Sequence, residues 1–224
     1  LKVAAGTPQP DGSVVYENAG LIRGLALVNA FNYIRGTALV NNEVLPSCIP
    51  YLDGCTSISS TGRYPPGDRL FRAILLPQAT VLALTWYFAV LWLKSLKPAS
   101  RAGPVIIISG VVGAVALVLY VSYLASNDPF YEIMRSYGVY LYFGGTALAQ
   151  LVLSLSLKRS PLQQAMVWVT VTPWALGLVN FAQKAMLGSL NSNENRIEWI
   201  ASLLMQVWFV LSVLTLYLHK LSIA

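Results

Sequence analysis

The chain has 224 residues, of which 56% are hydrophobic and only 11% charged; 15 Lys/Arg against 9 Asp/Glu give a formal charge of +6. Soluble domains carry roughly 25% charged residues, so the composition excludes an ordinary water-soluble globule. The basic excess is read as a topology signal and a contact with anionic lipid, not as a nucleic-acid interface.

Residues 1–69 come first and are the most polar part. The chain starts at Leu1 with LKVAAGTPQPDG, which reads as the continuation of an upstream span or of a removed signal. The stretch Leu21–Val40 carries Arg23 and Arg35. Each central Arg costs roughly 2.5–3.5 kcal/mol on insertion scales. The stretch is therefore expected to form one or two amphipathic helices on the outer surface, and an upstream span is expected before Leu1. Cys48 and Cys55 follow. On an oxidising face two such cysteines predict a disulfide, with two free thiols as the alternative. No metal site is expected, because the single histidine, His219, lies at the other end of the chain.

Five apolar stretches then appear: Leu70–Leu93, Pro104–Ala125, Tyr137–Leu157, Leu162–Leu187 and Ile197–Leu218. Each approaches or exceeds the roughly 20 residues a helical span needs. Barrel strands are short and alternate in polarity, whereas PVIIISGVVGAVALVLYVSYLA is apolar all round. The expected fold is all-α, a polytopic bundle of five spans in residues 70–220, with an extracytoplasmic region over residues 1–69.

The charges orient this bundle. Lys94, Lys97, Arg101, Lys158, Arg159 and Lys220 fall in one set of links or span ends, and no Asp or Glu accompanies them. The other links mix Asp128, Glu132 and Glu194 with Arg135 and Arg196. The positive-inside rule puts the basic links and the C-terminus in the cytoplasm and the N-terminal region outside, in a plasma, inner or endomembrane.

The segment before the first span reads CTSISSTGRYPPGDRLFR. Pro65 and Pro66 cannot extend a helix backwards and set an extended lead-in. Asp68 is expected to cap the helix near Leu70, and Gly62 to permit a turn. The residues Ser59, Thr61, Gly62, Pro65, Pro66 and Asp68 form a hinge, or a lid that also covers a ligand.

Ile58, Ser59, Ser60, Thr61, Gly62, Pro65, Pro66, Leu70 and Phe71 follow a pattern that resembles the DRAM/Sfk/Frag family of multi-pass membrane proteins. RSYGVYLYF (135–143) and IEWIA (197–201) resemble two further family stretches more loosely. The family includes autophagy modulators, a yeast regulator of phosphoinositide signalling and a GPI-anchor remodelling factor. The resemblance implies six spans, both ends cytoplasmic and the motif on the other side. The sequence departs from the pattern where Ser60 replaces the usual Asp and where LDGCTS looks inserted. The family has no single activity, so the likeness speaks to fold more than to function.

Ionisable groups near spans are functional candidates. Arg69, Arg72, Glu132, Lys184 and Glu198 all fall at the outer ends. Lys184 and Glu198 could form an ion pair between two helices. Alternatively the five residues line a pocket in which Arg69, Arg72 and Lys184 meet a phosphate or carboxylate head group and the acids hold them in place. Gln78, Gln150, Asn180, Gln183 and Gln206 read as interhelical contacts, and Gly110, Ala114, Gly144 and Gly145 as faces for close approach. No P-loop, G-x-S-x-G, H-E-x-x-H or C-x-x-C is present. The expected function is therefore non-enzymatic: binding of lipid at the outer leaflet, with modulation of lipid organisation or of a membrane partner. An accessory subunit of a larger membrane complex is the alternative, and a lipid-modifying enzyme or transporter the third. No cofactor is expected beyond a bound phospholipid.

Overall fold

The computed structural model describes residues 7–8, 14–15, 49–62, 67–124, 129–187 and 191–221. Two-residue strands β1 (Thr7–Pro8) and β2 (Val14–Val15) pair antiparallel, Thr7 opposite Val15 and Pro8 opposite Val14. A single turn, α1 (Pro50–Asp53), precedes a 3₁₀ turn at Ser60–Gly62. Five long helices follow: α2 (Gly67–Leu96), α3 (Gly103–Ser122), α4 (Pro129–Ser156), α5 (Pro161–Leu187) and α6 (Asn191–Leu221). All five are long and apolar enough to cross a membrane. The amphipathic helices expected over Leu21–Val40 lie outside the described residues.

Two of the helices start well before the apolar stretches that announce them. The helix expected from Tyr137 begins at Pro129, and the one expected from Ile197 begins at Asn191. Hydropathy reports the part of a helix immersed in hydrocarbon, whereas backbone hydrogen bonding continues into the polar interface. Proline marks the start of three helices, at Pro104, Pro129 and Pro161. Its missing N–H is one of the donors left unused in a first turn. Pro77 and Pro173 lie inside α2 and α5, and both helices continue through them.

Two compact units share these helices. One comprises residues 1–74, 124–126 and 176–202; the other comprises 75–123, 127–175 and 203–224. The second unit holds the larger core. Leu82, Trp86, Leu93, Ile106, Leu153, Met166 and Trp208 are buried there from all five helices. The Trp86 and Trp208 rings are tilted at 42° with centroids 5.8 Å apart. Within this unit α3 lies close against α4. A Cβ on Gly145 would stand 2.6 Å from the Ser109 carbonyl oxygen, and one on Gly138 would stand 2.8 Å from the Tyr120 nitrogen. No side chain fits at either point, and dispersion between closely spaced backbones supplies the attraction that lipid cannot. Gly144 meets nothing within 4 Å, so of the expected Gly144–Gly145 pair only the second makes the contact.

A buried polar chain fastens α4 to α5 and α6. The Gln150 amide donates to the Met205 carbonyl at 3.3 Å, and the Trp208 indole N–H donates to the Ser154 hydroxyl at 2.8 Å. The Ser154 hydroxyl donates to the Gln150 carbonyl at 2.7 Å, while the Gln163 amide donates to the Ser154 carbonyl at 3.0 Å. Gln150 performs the role expected of it; Ser154 and Gln163 join it. Around this interior Val81, Phe88, Ile108, Val115, Leu155 and Trp168 point outward. A bundle apolar both within and without is what a hydrocarbon surround requires.

Candidate functional site

The first unit carries the motif segment and four of the candidate charged residues, Arg69, Arg72, Lys184 and Glu198. Its organising feature is the loop from Ile49 to Gly62, which is anchored to the first turns of α6. The Ile49 N–H donates to the Asp53 carboxylate at 2.6 Å, closing the α1 turn. The turn ends at Gly54, whose φ of 62° is the left-handed conformation that glycine adopts without cost. Gly54 is needed for a second reason: a Cβ there would collide with the Ser192 backbone carbonyl. The close approach lets the Asn195 amide donate to the Gly54 carbonyl at 2.8 Å.

One turn on, the Trp199 indole N–H donates to the Thr56 carbonyl at 2.9 Å. Trp199 is fully buried, with Ile58 and Tyr51 against it; the Tyr51 ring meets it edge-on at 5.3 Å. Burial raises the Tyr51 phenol above its ordinary pKa, so the hydroxyl stays neutral. The IEWIA stretch thus earns its tryptophan by anchoring the loop.

The serine-rich motif satisfies itself. The Ser57 and Ser59 hydroxyls lie 3.0 Å apart, Thr56 and Ser60 2.7 Å apart, and the Ser60 N–H donates to the Ser57 hydroxyl at 3.1 Å. The buried Gly62 donates its N–H to the Ser59 carbonyl at 3.2 Å. These bonds fix a compact turn. Pro65, Pro66 and the Thr61 side chain lie outside the described residues. Phe71 is fully buried whereas Leu70 is exposed.

The expected Cys48–Cys55 bridge is corrected to a narrower statement. No Cys–Cys pair stands among the described residues: Cys48 lies outside them, and Cys55 is half-buried.

The charged residues fall as follows. Asp68 lies inside the first turn of α2, because the helix begins at Gly67 rather than near Leu70. Its Oδ1 is buried without a hydrogen-bond partner among the described residues. Arg69 is exposed beside it, and Arg72, one turn on, is half-buried with its Nε–H likewise buried and unpartnered. Lys184, at the end of α5, forms an ion pair with Glu194 at 2.8 Å. Glu198 stands half-buried one turn beyond Glu194 on α6. The Glu132 side chain lies outside the described residues, and its backbone belongs to the other unit.

Two residues missed by sequence reasoning join this set. Glu194 takes Lys184, and Arg196 carries a second buried, unpartnered Nε–H while its other guanidinium nitrogen reaches the Asn193 side-chain oxygen at 3.4 Å. Both had looked like link residues; the early start of α6 makes them helical, within about one turn of Glu198. Among the described residues no group of three or more His, Cys, Asp or Glu gathers as metal ligands. What this unit offers chemically is cationic N–H donors beside carboxylates.

The class that fold and site define is an integral membrane protein, with five helices among the described residues long and apolar enough to span a membrane. No family model matches the chain, and neither a curated protein nor a solved structure is found similar to it. The DRAM/Sfk/Frag resemblance therefore rests on its three short stretches alone.

Proposed function

We propose that this protein is a non-enzymatic membrane protein that holds a lipid head group at the outer ends of its helices and thereby modulates lipid organisation or a membrane partner. The observation that carries this is the pair of guanidinium groups, Arg72 and Arg196, whose Nε–H donors are buried without partners among the described residues. A buried unpaired donor costs about 1–3 kcal/mol, and more when charged. A phosphate or carboxylate oxygen relieves that cost with a charge-assisted bond, for which the planar guanidinium is well shaped. Arg69, the Lys184–Glu194 pair and Glu198 add charge in the same unit. The positive-inside pattern puts these helix ends at the outer leaflet. The DRAM/Sfk/Frag-like stretches support the same reading, since that family includes proteins of lipid signalling and lipid remodelling.

The test is native mass spectrometry of protein extracted in mild detergent. Arg72→Ala and Lys184→Ala should each lower the bound lipid while circular dichroism stays unchanged, with Arg72→Lys intermediate. Lipid content equal to that of the parent in the alanine variants would sink the proposal.

A second reading, an accessory subunit of a larger complex, draws on α5. Only 11% of its apolar window is buried, against 44% for α3. Under this reading the protein emerges from the membrane with other chains in fixed stoichiometry, and Trp168→Ala on the exposed face releases them.

A further inference from the structure

The second unit contains a cavity of about 890 Å³ where the C-terminal ends of α2, α4 and α6 meet the N-terminal end of α5. Trp92, Leu96, Leu157 and Leu162 form an apolar wall, and Lys97, Lys158 and Arg159 lie along its lining. These are basic-link residues, at the other ends of the helices that carry the head-group residues discussed above. We infer that this cavity is a second lipid site, which takes an anionic phospholipid with its phosphate against Lys158 and Arg159 and the first part of an acyl chain against the apolar wall.

Three features carry the inference. The first is uncompensated charge. No Asp or Glu occurs anywhere in residues 69–127 or 133–193, so the links that contribute to the cavity contain cations alone. Lys158 and Arg159 are both exposed. Cations at the edge of a hydrocarbon layer attract anionic head groups. The second is a fixed cationic edge. The Lys97 ammonium donates to the Ser156 carbonyl at 2.6 Å, which meets one of the open carbonyls at the end of α4 and holds this charge beside the cavity. The third is the helix terminus. The Ser160 hydroxyl accepts from the Gln163 N–H at 3.1 Å and caps α5, whose positive dipole end therefore faces the same region. The wall excludes a purely polar ligand as the best fit, since a free phosphate would leave Trp92, Leu96, Leu157 and Leu162 in water; an amphiphile covers them.

The experiment uses the intact chain in nanodiscs of phosphatidylcholine containing a minority of phosphatidylglycerol, read by native mass spectrometry of the retained lipid. The parent should retain phosphatidylglycerol above its bulk share. The Lys158→Gln/Arg159→Gln double variant should lose that preference by on the order of tenfold. Leu162→Trp keeps every charge but fills the apolar end, and should lower retention of either lipid. Unchanged selectivity in the double variant overturns the inference. Unchanged retention in Leu162→Trp also overturns it, because the basic links would then act as a diffuse charged surface. Displacement of the lipid by millimolar inorganic phosphate would make the site a simple anion site, which refutes the lipid assignment. Should Leu162→Trp fail to fold, the double variant, which touches only exposed side chains, decides the matter alone. None of these residues belongs to the head-group set of α2 and α6; in an Arg72→Ala background, which removes that set's contribution, Lys158→Gln/Arg159→Gln should still lower the phosphatidylglycerol preference, so the two sites fail or succeed separately.

Discussion

The polar chain through the second unit makes a quantitative prediction. Ser154 is fully buried; its hydroxyl accepts from the Trp208 indole at 2.8 Å and donates to the Gln150 carbonyl at 2.7 Å. Replacing Ser154 by Ala removes both bonds, but the two losses differ in weight. The Gln150 carbonyl lies within α4 and can keep its helical partner. The Trp208 N–H, almost completely buried, loses an acceptor it cannot replace with water. A buried orphan of this kind costs about 1–3 kcal/mol, while interhelical hydrogen bonds in membranes average about 0.6 and reach about 1.7 kcal/mol in double-mutant cycles. The larger figure applies here because Trp208 sits in the core beside Trp86 with no solvent route. Ser154→Ala should therefore destabilise by about 1–2 kcal/mol. In the background Trp208→Phe, which has no N–H to orphan, the same change should cost at least about 0.6 kcal/mol less. Equilibrium unfolding in mixed micelles, followed by tryptophan fluorescence or circular dichroism, gives the four corners of the cycle. Additivity within about 0.3 kcal/mol would refute the hydrogen bond as a contributor to helix packing.

Further consequences can be checked alongside it. Gly145→Ala places a methyl 2.6 Å from the Ser109 carbonyl and should cost about 1–3 kcal/mol. Gly144→Ala, in open space, should be neutral or stabilise by up to about 1 kcal/mol through helix propensity, as thermal melts in detergent would show. Gly54→Ala combines a left-handed φ with a clash against the Ser192 backbone, so the loop should lift from α6 and become sensitive to limited proteolysis while the α3–α4 contact persists. Trp199→Phe keeps the aromatic packing but leaves the Thr56 carbonyl without its donor; a loss of about 1–2 kcal/mol in loop opening, read by hydrogen exchange, is expected. Lys184→Ala breaks an ion pair whose lysine is half exposed, so any change in Tm should correspond to less than about 1 kcal/mol.

Much of the molecule was legible before any coordinates. Lipid solvation demands about 20 apolar residues per span, so the class and the order of the five long apolar helices among the described residues follow from hydropathy alone. Gln150 and Gly145 were visible as interior contacts for the same reason: polar and small residues are conspicuous against leucine and valine. Helix limits were less accessible, because charged turns such as that at Glu194 and Arg196 read as link on hydropathy yet remain helical in the interface. Gly54 shows a different limit. Its φ and its proximity to Ser192 depend on a segment about 140 residues away, and no local pattern encodes that approach. The tertiary structure alone decided which residues share a site. It set Lys184 on Glu194, buried the Nε–H groups of Arg72 and Arg196, and closed the serine motif on its own hydroxyls. The basic links look like topology signals in the sequence; only the meeting of the α2, α4 and α6 ends with the start of α5 sets their cations against an apolar wall. Composition acts on each residue independently through its solvation energy, whereas a site depends on distances between residues far apart in the chain, and only packing fixes those distances.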